Sequence, residues 1–127
     1  KPPPAPAGPR RVEVDGYVIL VGRNSRQNDE LTRRAHPEDW WLHARERAGS
    51  HVVIRSNGDA ERVPQAVRLR AAQLAAYYSK GRNAAKVPVI CTRAKHLKKP
   101  KGAKPGLVLV GKEEHTLVVA PANEDEA

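Results

Sequence analysis

The chain has 127 residues, enough for one domain with one hydrophobic core, and carries a formal net charge of +9. No apolar run is long enough to span a membrane, and a single cysteine, Cys91, excludes an internal disulfide. The chain has no methionine and begins with the proline-rich segment KPPPAPAGP, so we interpret it as a piece of a longer protein. We expect a linker over residues 1–11, one domain over 12–121 and an acidic disordered tail over 122–127.

The positive charge is concentrated in one half of the chain. From Arg62 to Lys112 there are 13 lysines and arginines and no acidic residue, whereas the rest holds 10 basic and 14 acidic residues. Concentrated charge attracts polyanions, so this distribution predicts a nucleic-acid partner. The alternative is a solvated surface whose lysines serve solubility. An anionic membrane fits less well, because the basic run lacks a strong amphipathic face.

The first half of the chain predicts a hairpin, a short helix and a second strand pair. RVEV and YVILVG flank Asp15-Gly16, a dipeptide typical of two-residue hairpin turns. NSRQNDELTRRAH predicts a helix capped by Asn24 or Ser25, with Leu31 and Ala35 on its buried side. DWWLHAR and SHVVIR predict the second strand pair. Alternation assigns one face to Trp40, Leu42, Ala44, Val52 and Ile54, and the other to Trp41, His43, Arg45, His51, Val53 and Arg55.

The second half predicts a longer helix followed by strands. The helix begins at Pro64, carries the buried stripe Val67, Ala71, Leu74 and Tyr78, and ends near Gly81. VPVICTR predicts a strand in which Pro88 favours an edge position or the first residues. KHLKKPKGAKPG predicts a loop, and GLVLVG with HTLVVAP a final strand pair. The expected fold is α+β, with a mixed, mainly antiparallel sheet of about six or seven strands and two helices.

The residues that could carry chemistry do not form a recognisable catalytic pattern. His43 and His51 can face one another across neighbouring strands, near Glu38, Asp29 and Asp39, but no HExxH, CxxC or HxH pattern is present. Ser50 and Cys91 lack a nucleophile-elbow context. We therefore expect no enzyme, no metal and no cofactor. A hydrolase would instead require turnover that disappears in the His43→Ala or His51→Ala variant.

Two features suit binding. Glycines and prolines punctuate a loop that carries Lys98, Lys99, Lys101 and Lys104, and such a loop can hold phosphates. A flexible basic linker is the alternative. Trp41 shares a face with histidines and arginines, where an exposed ring would stack on an unpaired base. The alternative is that both tryptophans belong to the core.

Five blocks of sequence resemble one family in order. They are VGRNSRQNDELTRRA, DWWLHARERAGSHVVIR, AAQLAAYYSKGR, VPVICTRAKHLKKPKGAKPGLV and HTLVVAP, and they cover roughly residues 15 to 121. This series resembles the NFACT-R domain, the carboxy-terminal domain of the NFACT proteins, which include bacterial RqcH, fibronectin-binding-protein-A-like proteins and eukaryotic NEMF. Ser25 departs from the family, which often has a second asparagine there, and Trp40 and Cys91 occupy variable positions.

The resemblance implies an RNA-binding domain of a cytoplasmic ribosome-associated quality-control factor. Such factors bind rRNA or tRNA on an obstructed large ribosomal subunit and extend stalled chains without a template, in bacteria with alanine. Expected partners are that subunit, its RNA and the rest of the parent protein, with no membrane. The expected RNA-binding residues are Arg23, Asn24, Arg26, Gln27, Asn28, Trp41, His43, Arg45, His51, Arg55, Lys95, Lys98, Lys99, Lys101 and Lys104. The rival is a protein-interaction module, for a coiled-coil, ribosomal-protein or extracellular-matrix partner, with incidental basic charge.

Overall fold

A computed structural model describes residues 8–126, and a six-stranded antiparallel sheet forms its centre. The strands are β1 (Arg10–Val14), β2 (Tyr17–Val21), β3 (Trp40–Ala44), β4 (Val52–Ile54), β5 (Val87–Arg93) and β8 (His115–Val119), in the order β1-β2-β4-β3-β5-β8. β6 (Leu97–Lys98) and β7 (Leu109–Val110) form a separate two-stranded hairpin. The helices are α1 (Ser25–Arg34) and α2 (Gln65–Tyr77), with short 3-10 helices at Ala60–Arg62 and Ala94–His96. The expected α+β fold is confirmed.

The predicted turn and strand faces of the first half are confirmed. Asp15 and Gly16 have φ values of 50° and 83°, the left-handed pair that a type I′ hairpin turn requires. β3 pairs with β4 so that Leu42 lies opposite Val52, and both side chains are fully buried. The same face of the sheet packs against α2, whose Val67, Ala71 and Leu74 are also fully buried.

The opposite face of the sheet is covered by α1 and the β6–β7 hairpin. Leu31 of α1 packs there with Trp41, Val53 and Ile90, and Leu97 and Val108 flank this second cluster. Each helix therefore covers one face of the sheet, which is a stable layering for an α+β domain. The arrangement also brings the start of α1 beside the basic hairpin.

The predicted pairing of GLVLVG with HTLVVAP is wrong. β7 pairs with β6, whereas β8 pairs with β5 over five residues, from Val87↔Val119 to Cys91↔His115. The physical reason is burial: the β5 pairing brings Leu117 and Val119 into contact with the α2 core. α2 ends at Tyr77, four residues before the predicted end near Gly81. Two residues after the helix, Ser79 forms a β-bridge with Gly49.

Both ends of the domain differ from the composition-based boundaries. β1 already begins at Arg10, inside the expected linker, and residues 1–7 lie outside the described residues. At the other end, Ala122 is 7% exposed and its N–H donates to the Gln73 carbonyl at 3.3 Å. Glu124 pairs with Arg10 at 3.5 Å and accepts from the Tyr78 hydroxyl. Residues 122–124 thus contact the domain, although the acidic composition of this segment predicted disorder, and Ala127 lies outside the described residues.

Candidate nucleic-acid interface

The start of α1 is fixed by two of the side-chain amides that the sequence places there. Asn24 is the N-cap, and its Oδ1 accepts a hydrogen bond from the Gln27 N–H at 2.9 Å. Gln27 reaches back, and its Oε1 accepts from the Arg23 N–H at 2.9 Å. Both amides therefore stabilise the helix terminus, as the prediction of an Asn24 cap requires.

The third amide joins α1 to the sheet. Asn28 is 8% exposed, and its Oδ1 accepts from the His51 backbone N–H at 3.1 Å. The His51 carbonyl in turn accepts from the Gly22 N–H at 3.0 Å. A Cβ at Gly22 would lie 2.0 Å from Asn28 Oδ1, so only glycine permits this close approach. The Asn28 oxygen is therefore committed to the fold.

The expected exposed tryptophan is not present on this face. Trp41 is 2% exposed and Trp40 is 4% exposed, so neither ring is open to stacking with a base, and the alternative that both belong to the core is correct. Trp41 stacks on His43 at 5.7 Å between ring centroids, and its Nε1–H donates to Thr32 Oγ1 at 3.2 Å. Because α1 and the hairpin cover this face, the Trp41 ring packs against α1 and contributes to holding the helix on the sheet.

The two histidines do face one another, with ring centroids 5.4 Å apart. Burial lowers the pKa of His51 to about 4, with a further contribution from His43, and burial also lowers the pKa of His43. Thr32 Oγ1 lies 2.7 Å from His51 Nδ1, so a neutral ring can accept the Thr32 hydroxyl hydrogen. His51 is 3% exposed, which makes it a packing residue, whereas half-buried His43 retains some exposure.

The loop between β6 and β7, residues 99–108 and here called the hairpin loop, is held against α1. The Lys99 ammonium lies 2.6 Å from Asp29 Oδ1 and donates to the Lys104 and Leu107 carbonyls at 2.5 and 2.9 Å. The Gly106 N–H donates to the same Asp29 oxygen at 3.1 Å. The Lys99 hydrogen bond, together with that from Gly106, holds the pKa of Asp29 below its usual range. Lys99 therefore orders the loop, and the alternative of a flexible linker does not describe it.

The base of the hairpin is clamped as well. Arg93 Nη2 lies 2.8 Å from Glu114 Oε1, and the Arg93 N–H donates to Glu114 Oε2 at 2.8 Å. Thr92 Oγ1 donates to the Lys112 carbonyl at 2.6 Å. Burial raises the pKa of Glu114, but the hydrogen bonds from Arg93 outweigh it and lower the pKa to about 2.

We expect the Glu114 clamp to make stability fall in acid. A carboxylate whose pKa is lowered by folding stabilises the native state above its unfolded pKa, so this contribution is present above about 4.5 and is lost as pH falls toward about 2. Denaturant titrations across this range measure the effect. The slope of unfolding free energy against pH should be shallower in Glu114→Gln, while exposed Glu61→Gln should follow the wild type. Parallel curves for all three proteins would contradict the assignment.

Some predicted RNA-binding cations are neutralised by acidic neighbours. Arg45 pairs with Glu113, and Lys95 Nζ lies 3.1 Å from Glu38. Both carboxylates come from distant parts of the chain, so sequence reasoning had no local signal for these pairs. Each pair reduces the attraction of its cation for a phosphate.

The remaining predicted cations are exposed and have no carboxylate partner between residues 8 and 126. They are Arg23, Arg26, Arg55, Lys98, Lys101 and Lys104. A Cβ added to Gly106 would lie 3.4 Å from the Ser25 carbonyl oxygen. The hairpin loop therefore adjoins the first turn of α1. We call the surface formed by Arg26, Lys98, Lys101 and Lys104 the basic surface. Arg23 is not part of it, because its Nε–H donates to the Gly8 carbonyl at 3.0 Å, beside the start of β1.

Arg33 is a cation that the predicted site omitted. It is exposed on α1, and together with Lys98 it borders a cavity between α1 and the hairpin. Arg26, Asp29 and Arg33 follow one another at intervals of three and four residues, which places them on one face of a helix. That spacing was the available signal, because Asp29 also contacts the hairpin loop.

The Cys91 thiol is buried in β5. Burial raises the pKa of the Cys91 thiol to about 12, which keeps it protonated. No cluster of three or more histidine, cysteine, aspartate or glutamate side chains between residues 8 and 126 could hold a metal ion. Neither described helix is long and apolar enough to cross a membrane.

An antiparallel sheet with one helix on each face and an ordered basic hairpin defines a small α+β domain with a cationic surface. Residues 10–112 match the family described as the NFACT protein RNA binding domain. The chain belongs to this family, which confirms the resemblance seen in the sequence.

Individual relatives agree with this membership. The chain is 48% identical over 109 residues to the Rqc2 homolog RqcH of Bacillus subtilis and 44% identical over 117 residues to that of Streptococcus suis. These matches cover 85% and 91% of the chain but only 18% and 20% of the relatives. A solved structure of the C-terminal part of the fibronectin/fibrinogen-binding protein from Streptococcus suis superposes with a TM-score of 0.84 at 42% identity. This superposition covers 96% of the present chain and 49% of the chain in the solved structure.

Proposed function

We propose that this domain binds RNA through the basic surface. The observation that carries the proposal is the ordered β6–β7 hairpin. Lys98 of β6 and Lys101 and Lys104 of the hairpin loop have no acidic partners among the described residues, and the loop adjoins the first turn of α1. A helix N-terminus favours anions, and Arg26 adds positive charge in the first turn of α1. Phosphate oxygens of a nucleic-acid backbone suit these groups.

Order in the loop is an advantage for binding. Lys99 and Gly106 fix the loop to Asp29, so little conformational entropy is lost when the exposed lysines meet phosphates. The free cations position the RNA backbone, whereas the buried Asn28, Trp41 and His51 hold the surface in shape. The domain acts as a binding module and carries out no catalysis.

The similarity to RqcH supports a wider role for the parent protein. In this proposal the domain helps a cytoplasmic ribosome-associated quality-control factor to bind rRNA or tRNA on an obstructed large ribosomal subunit. Template-free addition of alanine to the stalled chain belongs to other parts of the parent protein, because this chain corresponds to about a fifth of those relatives.

Salt dependence tests the electrostatic part of the proposal. Each phosphate contact to single-stranded RNA lowers the logarithm of the binding constant by about 0.7 per decade of salt, so contacts from the four cations of the basic surface give a slope of about −2.8. Fluorescence anisotropy with rRNA fragments or tRNA at increasing potassium chloride measures this slope. An affinity that does not change between low and high salt would remove the basis for a phosphate-binding surface.

A further inference from the structure

A cavity of about 260 Å³ lies between α1 and the β6–β7 hairpin. Its floor is apolar, because Ala35, Leu97 and Val108 are half-buried and pack against the second core cluster. Pro37 and Ala94 extend the same lining. The cavity therefore offers a site for a group with apolar faces.

The rim of this cavity is cationic. Arg33 lies on the α1 wall and Lys98 on the hairpin wall, and neither has a carboxylate partner between residues 8 and 126. Lys95 also lines the cavity but pairs with Glu38. The one carboxylate in the lining, Asp29, already holds Lys99 at 2.6 Å. Two unpaired cations thus stand on opposite walls.

The walls are fixed in place without a ligand. On the hairpin side, Lys99 and Gly106 both bind Asp29 of α1. On the other side, the Lys95 N–H donates to the Pro37 carbonyl at 3.0 Å, which ties the 3-10 helix before the hairpin to the loop that follows α1. A site that exists before binding requires little reorganisation.

We propose that this cavity accepts the base of an unpaired nucleotide, while Arg33 and Lys98 contact the phosphates on its two sides. The inference rests on the proposed RNA binding and adds to it a preference for single-stranded RNA. An unpaired nucleotide has an aromatic base and carries its charge on the backbone, outside the cavity. An acidic peptide fits less well, because its side chain would carry a carboxylate into the apolar floor, beside Asp29.

Filling the cavity tests the proposal. Ala94→Phe places a ring in the cavity, and Ala85→Phe adds the same ring to an exposed position in the loop after α2. The probes are an oligouridylate and an RNA duplex with the same number of phosphates. The wild type should bind oligouridylate about tenfold more tightly than the duplex, because only an unpaired base can enter the cavity; this gain is at the lower end of that given by stacking one base on an aromatic ring. Ala94→Phe should lose this preference and keep its duplex affinity, and Ala85→Phe should match the wild type.

Several outcomes separate the cavity from the wider function. Salt-dependent RNA binding with an unchanged preference in Ala94→Phe would overturn the cavity site and leave the proposed function standing. A wild-type protein that binds neither RNA would overturn both the cavity site and the proposed function. Competition by polyglutamate as effective as that by oligouridylate would favour an acidic peptide and overturn the nucleotide. Should Ala94→Phe fail to fold, photocrosslinking of 4-thiouridine to the wild type decides: adducts at Leu97 or Val108 support the site, and adducts confined elsewhere overturn it.

Discussion

Reversing the charge of Lys101 and Lys104 weakens RNA binding by about a hundredfold at moderate salt, because two phosphate contacts are replaced by repulsion. Both side chains are exposed in the hairpin loop, and Lys99 contacts Lys104 only at its backbone carbonyl, which the substitution retains. The Lys101→Glu/Lys104→Glu variant should therefore unfold like the wild type. Anisotropy titrations with a fixed RNA, beside a denaturation curve, measure both properties.

Lys80→Glu/Lys86→Glu is the matched control for that experiment. It changes the net charge equally, and both lysines are exposed in the region between α2 and β5. β5 runs from Val87 to Arg93, so the control positions adjoin its start and the hairpin follows its end. We expect only the small loss that follows from a lower net charge. Equal losses in the two variants would mean that RNA senses total charge and does not contact the hairpin loop.

If neither variant loses ribosome association, a protein-interaction module is the better interpretation. Leu107 and Leu109 would then be the first residues to consider, since they are 51% and 55% exposed beside the hairpin loop. Exposed leucines contribute to protein contacts through apolar burial, which depends weakly on salt.

Asn28→Ala lowers the free energy of unfolding by about 2 kcal/mol, because the His51 backbone N–H loses its acceptor in a buried position. The intrinsic helix preference of alanine offsets a fraction of this loss. Equilibrium urea titration measures the change, and the dependence on urea should keep its slope. RNA affinity of the folded protein should stay close to that of the wild type, since the Asn28 oxygen is already engaged.

Asn83→Ala provides the comparison, because Asn83 is exposed in the loop after α2. We expect its stability to stay within about 0.5 kcal/mol of the wild type, as is usual for surface substitutions. The contrary result for Asn28→Ala, unchanged stability with a large loss of RNA affinity, would make Asn28 a ligand-contacting residue.

Local patterns accounted for much of the fold. The Asp15-Gly16 turn and the Asn24 cap depend on residues next to one another, so their physical causes are visible in the sequence. Alternation also placed Leu42 and Val52 on the correct face. The partner of β8 was not predictable in this way, because neighbouring strand-like runs favour a hairpin and the pairing with β5 depends on packing against α2.

The sequence predicted the kind of site, a basic loop, better than the individual residues that form it. The acid-free basic run indicated the charge, and the glycines and prolines indicated a loop. Which cations remain free depends on contacts over long separations, such as Arg45 with Glu113 and Lys99 with Asp29. The burial of Trp41 likewise depends on where α1 and the hairpin cross the sheet, which alternation within one strand does not reveal.

The close approach of Gly22 to Asn28 is expected to constrain both positions against substitution. A side chain at position 22 would require a smaller residue at position 28, and that residue would leave the His51 N–H without its acceptor. Changing position 28 first incurs the same loss, so each mutational order passes through a less stable intermediate. Covariation between these positions is therefore expected to be rare, and the pair should persist even where the surrounding arginines have drifted.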